Sequence, residues 1–179
     1  MKVYLGLGSN IEPEEHITAG LRDLVTHFGA LDASGVYKSA AVGFDGPSFL
    51  NLVVGFETTL SLADLRARLR EIEIAHGRPE NASRNSSRTL DIDILLYGDF
   101  CGYFDAIELP RPEIHYNAFV LRPLAELSPE LAIPSTDITL GELWSRFDQK
   151  RQPLIAYPFQ FDGRYLPTVF TTELAFDSA

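Results

Sequence analysis

Cysteine is almost absent from this sequence: Cys101 is the single one in 179 residues. One cysteine excludes an internal disulfide framework and a cysteine-rich zinc site. The sequence also lacks an apolar run of about 18 residues or more, and no charged segment followed by an apolar stretch opens it. We therefore predict a cytoplasmic protein with neither a membrane span nor a secretion signal.

Positive charge is scarce, since 15 Lys and Arg stand against 25 Asp and Glu, a net charge of −10. Nucleic-acid binding normally needs a basic face, so we predict no nucleic-acid partner. Six of the basic residues nevertheless fall between residues 66 and 88. Three of them fit a solvated helix face, but Arg78, Arg84 and Arg88 lie beyond that helix. They indicate a small anionic ligand rather than a polymer.

The hydrophobic content of 45% is enough for one buried core. The apolar periodicity predicts strands at residues 3–7, 33–41, 49–58 and 89–97, helices at 12–28 and 62–76, and a short helix at 118–127. The order β-α-β-β-α-β predicts an α+β, ferredoxin-like split βαβ fold, with an antiparallel sheet and two helices packed on one face. The other face would then be free for a substrate cleft.

Two further segments stand outside that pattern. Residues 79–87 lack periodicity and are predicted to form a polar loop. The aromatic-rich residues 151–179 are interpreted as a C-terminal extension of a domain at 1–150, packed on that domain or on a partner subunit. The sequence leaves the oligomeric state open.

The glycines near the N-terminus do not form a known phosphate loop. Gly6-Leu7-Gly8-Ser9-Asn10 lacks the third glycine of a dinucleotide fingerprint and the Gly-Lys-Ser/Thr of a Walker loop. The acidic helix start that follows would repel a phosphate. We interpret Gly8-Ser9-Asn10 as a turn.

The strongest chemical pattern is Arg88-Thr89-Leu90-Asp91-Ile92-Asp93-Ile94-Leu95. The strand period of two places Asp91 and Asp93 on one face, roughly 6–7 Å apart. Two such carboxylates favour Mg²⁺, which completes its shell with water and substrate phosphates. Asp-x-Asp alone also occurs on exposed strands, but the upstream arginines strengthen the case because arginine binds phosphate in a bidentate manner.

With these motifs the sequence resembles the 6-hydroxymethyl-7,8-dihydropterin pyrophosphokinases of folate biosynthesis. The resemblance covers roughly residues 1–150. The segments that carry it are Leu7-Gly8-Ser9-Asn10, Phe49-Leu50-Asn51, Ile72-Glu73 with Gly77-Arg78, Arg88 to Leu95, Leu109-Pro110, and Phe119-Val120-Leu121 with Pro123-Leu124.

The resemblance implies an enzyme that transfers pyrophosphate from ATP to the pterin hydroxymethyl group, using two Mg²⁺ ions and releasing AMP. It implies these roles: Asp91 and Asp93 as metal ligands; Arg78, Arg84 and Arg88 as catalytic; Glu73, Ile94, Arg111 and Tyr116 at ATP; Ser39, Val42, Phe49, Asn51 and Phe119 at the pterin. Stacking of Phe49 and Phe119 on a flat heterocycle is physically sound, although core packing explains such residues equally well.

The sequence departs from the family pattern close to the chemistry. Asn85-Ser86-Ser87 stand where Trp-Gly-Pro is usual, Arg111 where a histidine is common, and Asn117 where an arginine is common. Ser39-Ala40-Ala41-Val42 replaces a frequent Thr-Pro-Pro-Leu. The departures leave open a paralogue with another substrate or a non-catalytic pterin or nucleotide binder. An RNA-binding module is disfavoured by the acidic charge.

Overall fold

The structure, a computed structural model, describes residues 1–78 and 87–170. In the described chain, no helix has the length and apolar character needed to cross a bilayer. The elements are β1 (Lys2–Ser9), α1 (Pro13–Phe28), β2 (Leu31–Ala33), β3 (Val36–Ser39), β4 (Phe49–Glu57), α2 (Leu62–Ala75), β5 (Asp91–Tyr97), β6 (Gly102–Phe104), β7 (Ile107–Leu109), a 3₁₀ helix (Pro112–His115), α3 (Ala118–Leu127), α4 (Leu140–Arg146), β8 (Ile155–Tyr157), β9 (Gln160–Phe161), β10 (Arg164–Tyr165) and β11 (Thr168–Phe170).

Local sequence explains where the first two helices begin. Pro13 occupies the first turn of α1, where its missing N–H is not needed, and Glu14 and Glu15 follow at the positive end of the helix dipole. Ser61 caps α2 by accepting a hydrogen bond from the Asp64 N–H at 3.1 Å. Both helices bury one apolar face against the sheet.

The main sheet is antiparallel throughout, with the strand order β11-β2-β4-β1-β5. Strand β3 also pairs with β4, and β8 pairs with β3. Since β4 lies between β1 and the β2–β3 segment, the two sides of the first βαβ unit are split by an inserted strand, as the element order predicts. The predicted α+β class with an antiparallel sheet is confirmed.

The two faces of the sheet carry different layers. On one face, Leu5, Leu7 and Leu52 pack with apolar residues of α1 and α2 in the larger core cluster. On the other, Tyr4 and Val53 join residues of α3 and α4 in a second cluster. The two helices of the predicted βαβ unit, α1 and α2, therefore share one face as expected. Helices α3 and α4 cover part of the face that we expected to be free, and residues of α3 also line the cleft on that face.

Some element boundaries differ from the predicted ones because of sheet pairing. The segment predicted as one strand at 33–41 forms two strands, because Ser34 and Gly35 interrupt it. Ala33 pairs with Val54 and Tyr37 pairs with Asn51. The β2–β3 segment therefore has one more residue than the part of β4 that it faces. The segment at 109–115 ends β7 and then forms the 3₁₀ helix, in which Pro112 occupies the first turn.

The C-terminal residues described by the structure contact the domain along its sheet edge. Strand β8 pairs with β3 and β11 pairs with β2, both antiparallel. Phe159 and Phe161 are buried in the larger core cluster, and Asp162 forms a 3.5 Å ion pair with Arg22 of α1. These contacts give the segment an apolar anchor between the sheet edge and α1.

We predict that this segment unfolds together with the rest of the domain. Phe161 is 2% exposed, whereas Tyr165 on the same hairpin is 64% exposed. Phe161→Ala should lower the free energy of unfolding by about 3–5 kcal/mol through the loss of buried contacts. Tyr165→Ala, the matched control, should change it by less than about 0.5 kcal/mol. Urea denaturation followed by circular dichroism measures both, and equal small effects would show that the segment is not part of the cooperative core.

Candidate active site

The candidate site is a cleft of about 610 Å³ on the sheet face that α3 and α4 leave open. Its floor is made by three neighbouring strands. Gly8 of β1 lies between Asn51 of β4 and Asp91 of β5, and Gly6 faces Asp93 in the next row. Because directly opposed residues of an antiparallel sheet share a face, glycine at alternate positions of β1 leaves space above the strand. Gly6 and Gly8 therefore contribute floor to the cleft without filling it with side chains.

Most of the site residues predicted from the sequence meet in this cleft. The ones that line it are Ser39, Val42, Phe49, Asn51, Arg88, Asp91, Asp93, Tyr116 and Phe119. Arg84 lies outside the described residues. Four others do not line the cleft: Arg78 and Arg111 contact the lining carboxylates, and Glu73 and the Ile94 carbonyl contact those two arginines.

Asp91 and Asp93 occupy one face of β5, as the strand period predicts, while Ile92 is buried on the opposite face. Each carboxylate has an arginine beside it. Arg78 contacts Asp91 at 2.8 Å, and Arg111 approaches Asp93 at 3.6 Å. The two guanidinium groups partly balance two like charges that lie on adjacent rows of the same face.

Asp93 carries the strongest electrostatic perturbation at the cleft floor. Burial, followed by the charge of Asp91, raises the pKa of Asp93 from its ordinary 3.8 to about 7, and Arg111 lowers it only in part. Its side chain is 50% accessible, within the cleft rather than on an open surface. A carboxylate that binds a proton so readily should also bind a cation in place of the proton, because the cation offsets the repulsion from Asp91.

Glu73 and Ile94 contribute to the site from below the floor. Glu73 is 4% exposed, accepts a hydrogen bond from the Ile92 N–H at 2.8 Å, and pairs with Arg78 at 2.5 Å. Burial, and then Asp91, raises the pKa of Glu73 despite those two donors. The Ile94 side chain lies in the larger core cluster, and its carbonyl oxygen accepts from Arg111 Nε at 3.0 Å. Glu73 therefore orients Arg78, and Ile94 orients Arg111.

The other end of the cleft is aromatic and has an amide. Asn51 is 6% exposed and donates from Nδ2 to Ser39 Oγ at 2.8 Å, which fixes its side chain. A Cβ on Gly8 would lie 3.1 Å from Asn51 Oδ1, so glycine gives this oxygen its space. Phe49 and Phe119 line the same cavity. A fixed amide acceptor and two aromatic rings in one cavity suit a flat, polar heterocycle.

Asn10 has a role that the interpretation as a turn missed. Strand β1 continues to Ser9, and the Asn10 side chain links two segments that border the cleft. Its Nδ2 donates to Pro47 O at 3.1 Å and to Ser87 Oγ at 3.2 Å, while Oδ1 accepts from the Arg88 N–H at 2.8 Å. Asn10 thereby holds the start of β5 and the loop before β4 in register.

Sequence reasoning also missed Phe44 and the alternating glycines Gly6 and Gly8. Phe44 lines the cleft and meets Phe49 edge-on, with ring centroids 6.3 Å apart. A Cβ on Gly46 would lie 2.6 Å from the Phe44 ring, so Gly46 makes this placement possible. Two signals in the sequence could have indicated them. One is an aromatic residue flanked by glycines, and the other is a pair of glycines at a period of two within a strand.

The donor set at the floor fits magnesium. Among residues 1–78 and 87–170, no group of three or more His, Cys, Asp and Glu side chains is arranged to hold a metal by itself. Asp91 and Asp93 supply two oxygen ligands that face an open cleft. Mg²⁺ binds in this way, through one or two carboxylates with the remaining positions taken by water and phosphate oxygens.

Comparison with known proteins identifies the family. The family model described as 7,8-dihydro-6-hydroxymethylpterin-pyrophosphokinase (HPPK) matches residues 4–129. A 2-amino-4-hydroxy-6-hydroxymethyldihydropteridine pyrophosphokinase of Pseudomonas aeruginosa is 38% identical over 137 residues, covering 74% of this chain and 84% of that protein. The Haemophilus influenzae protein of the same name is 35% identical over 148 residues, covering 80% and 91%. The chain belongs to the HPPK family.

A solved relative supports the fold. The HPPK-DHPS protein of Plasmodium falciparum superposes with a TM-score of 0.65 at 14% identity, covering 84% of this chain. This chain spans 42% of that longer chain. At such low identity the likeness concerns the fold alone, and it agrees with the sheet and helices described above.

We predict that Asp93 titrates near pH 7 in the metal-free protein. Below that pH a proton competes with a cation for the carboxylate, so Mg²⁺ should bind more tightly as the pH rises and should shift the titration to lower pH. ¹³C NMR of the carboxyl group measures the midpoint with and without Mg²⁺. Asp91→Asn should lower the midpoint, because it removes the neighbouring charge. A midpoint below about 5 that is unchanged by Mg²⁺ would contradict the prediction.

Proposed function

We infer that this protein transfers pyrophosphate from ATP to the hydroxymethyl group of 6-hydroxymethyl-7,8-dihydropterin, releasing AMP in a step of folate biosynthesis. Membership of the HPPK family and the names of the two bacterial relatives support this activity. The observation that carries it is the position of Asp91 and Asp93, on a cleft floor that continues into an aromatic, amide-bearing pocket. One end of the cleft suits polyphosphate and the other suits a pterin.

The pterin end would bind its substrate by stacking and by amide recognition. Phe49 and Phe119 offer ring faces, and Asn51 offers its Oδ1 as an acceptor while its Nδ2 donates to Ser39 Oγ and Tyr37 O. Val42, at the same end, adds an apolar contact. A pterin bound in this way would direct its hydroxymethyl oxygen towards the carboxylates, so that the two substrates would react within one complex.

The reaction forms a bond between the hydroxymethyl oxygen and the β-phosphorus of ATP and breaks the bond from that phosphorus to the oxygen of AMP. Two Mg²⁺ ions, when bound, would neutralise the phosphate charge and orient the attacking and leaving oxygens. Asp91 and Asp93 would hold these ions. Arg88, which lines the cleft, would stabilise charge on the transferred group, with Arg78 and Arg84 at the adjoining segment. Arg111 and Tyr116 would contact ATP, with the Ile94 carbonyl orienting Arg111 and Glu73 orienting Arg78.

The departures from the family pattern favour a second candidate, a non-catalytic pterin or nucleotide binder or a paralogue with another acceptor. Asn117 lines the cleft where the family commonly has an arginine, which removes one positive charge. Arg111, beside Asp93, retains a charge at the place of the usual histidine. Cytoplasmic location and the absence of a nucleic-acid partner stay predictions from the sequence.

The decisive assay separates AMP from ADP with the pterin alcohol as acceptor. The protein should produce AMP that depends on Mg²⁺ and on the pterin alcohol. ADP would indicate ordinary kinase chemistry, and ligand binding without either product would favour the second candidate. If neither ligand binds, both candidates are wrong.

We predict that Asp91→Ala and Asp93→Ala each lower kcat/KM for AMP formation by at least about a hundredfold, because each removes a charge that acts on the transition state through the metal. Asp99→Ala is the matched control, since Asp99 is an exposed carboxylate in the turn after β5. It should retain full activity. Activity of either variant within about twofold of the unmodified protein would remove the carboxylates from the mechanism.

A further inference from the structure

The chain returns to the cleft after α4, at residues that the family-model match, 4–129, does not include. Arg151 and Gln152 both line the cleft, together with Asp91, Asp93 and Phe119. They come from the end of the chain, more than 50 residues after the carboxylates. The cleft is therefore completed by a segment that lies after the residues of the family-model match.

Gln152 fixes this segment against the N-terminus of α3. Its Oε1 accepts from the Ala118 N–H at 2.7 Å, and its Nε2 donates to Tyr116 O at 3.0 Å. These bonds satisfy backbone groups at the helix start that Asn117, the residue at the cap position, leaves without a side-chain cap. On the other side, the Arg151 N–H donates to Asp148 O at 3.2 Å. The backbone of Arg151 is thus held from both sides at the cleft.

The Arg151 side chain differs from the other arginines around the cleft floor in its electrostatic surroundings. Arg78 is paired with Asp91 and Glu73, and Arg111 lies beside Asp93. Among residues 1–78 and 87–170, no carboxylate forms an ion pair with Arg151, and its side chain is exposed to the cleft. A guanidinium at a ligand cavity that forms no ion pair with the described carboxylates is suited to an anion supplied by the ligand.

Arg151 also lies where the cleft meets a second cavity. That cavity, of about 360 Å³, shares Tyr116, Arg151 and Gln152 with the cleft, and its other lining residues include Arg146 and Asp148. A guanidinium at this junction can reach a ligand in either space. The neighbouring Lys150 has the same charge but lines neither cavity.

We propose that Arg151 is a substrate-contacting residue that binds a phosphate group of the nucleoside triphosphate, and that Gln152 positions it. The proposal rests on the inferred pyrophosphoryl transfer. Arg151 would supply a positive charge from the C-terminal segment, close to Asn117, where the family commonly has an arginine. The competing explanation is that Arg151 is an exposed, solvated residue with no role in substrate binding. The Lys150→Ala variant shows the effect expected of such a residue.

The test compares Arg151→Ala, Arg151→Lys and Lys150→Ala in the full chain. Arg151→Ala should lower kcat/KM for ATP by about tenfold or more, since a charge-assisted bidentate contact is lost, and should leave KM for the pterin alcohol unchanged. Arg151→Lys should recover part of the loss, because it keeps the charge but not the fork geometry. Lys150→Ala should match the unmodified protein.

Two results would overturn the proposal. One is an Arg151→Ala variant that behaves as Lys150→Ala does. The other is an equal loss of affinity for ATP and pterin, which would mean that α3 and Phe119 had moved. If the unmodified protein makes no AMP, the inferred activity fails. Calorimetric titration of MgATP into the same variants then decides the role of Arg151. Weaker binding in Arg151→Ala alone supports the proposal, and equal or absent binding rejects it.

Discussion

Two like charges on adjacent rows of one strand face are the constraint on which this structure depends. Asp91 and Asp93 lie at the floor of the cleft, and burial with mutual repulsion raises the pKa of Asp93 to about 7. Such a pair is unfavourable unless positive charge is close. The surrounding structure supplies it in two ways: arginines anchored from behind the floor, and an open cleft in which divalent ions can reach both carboxylates.

The fold keeps this arrangement rigid by separating its two faces. Leu5, Leu7 and Ile92 are buried beneath α1 and α2, so the register of β1 and β5 cannot slip without exposing the core. That same register places Gly6 and Gly8 opposite the carboxylates on the other face. One set of apolar contacts therefore stabilises the domain and fixes the geometry of the site.

The sequence predicts the features that depend on local periodicity. The shared face of Asp91 and Asp93 follows from the strand period alone. The apolar periodicity likewise predicts a helix at 12–28, within one residue of the observed bounds of α1. Features that depend on pairing between distant segments were not predictable in this way. Asn10 resembles a turn residue until Pro47 and Ser87 are seen beside it, and Arg151 resembles a tail residue until Gln152 is seen to cap α3. The structure buries the Ile94 side chain in the core, so the nucleotide contact that the resemblance implies for Ile94 would involve its backbone.

The most direct test of this account is the number of divalent ions held with nucleotide at the carboxylate pair. Mn²⁺ can replace Mg²⁺ and be counted by electron paramagnetic resonance in the presence of a non-hydrolysable ATP analogue. The account predicts two bound ions per chain, and loss of tight binding in the Asp91→Asn/Asp93→Asn double variant. Unchanged Mn²⁺ binding in that variant would contradict it, because the ions would then be held elsewhere.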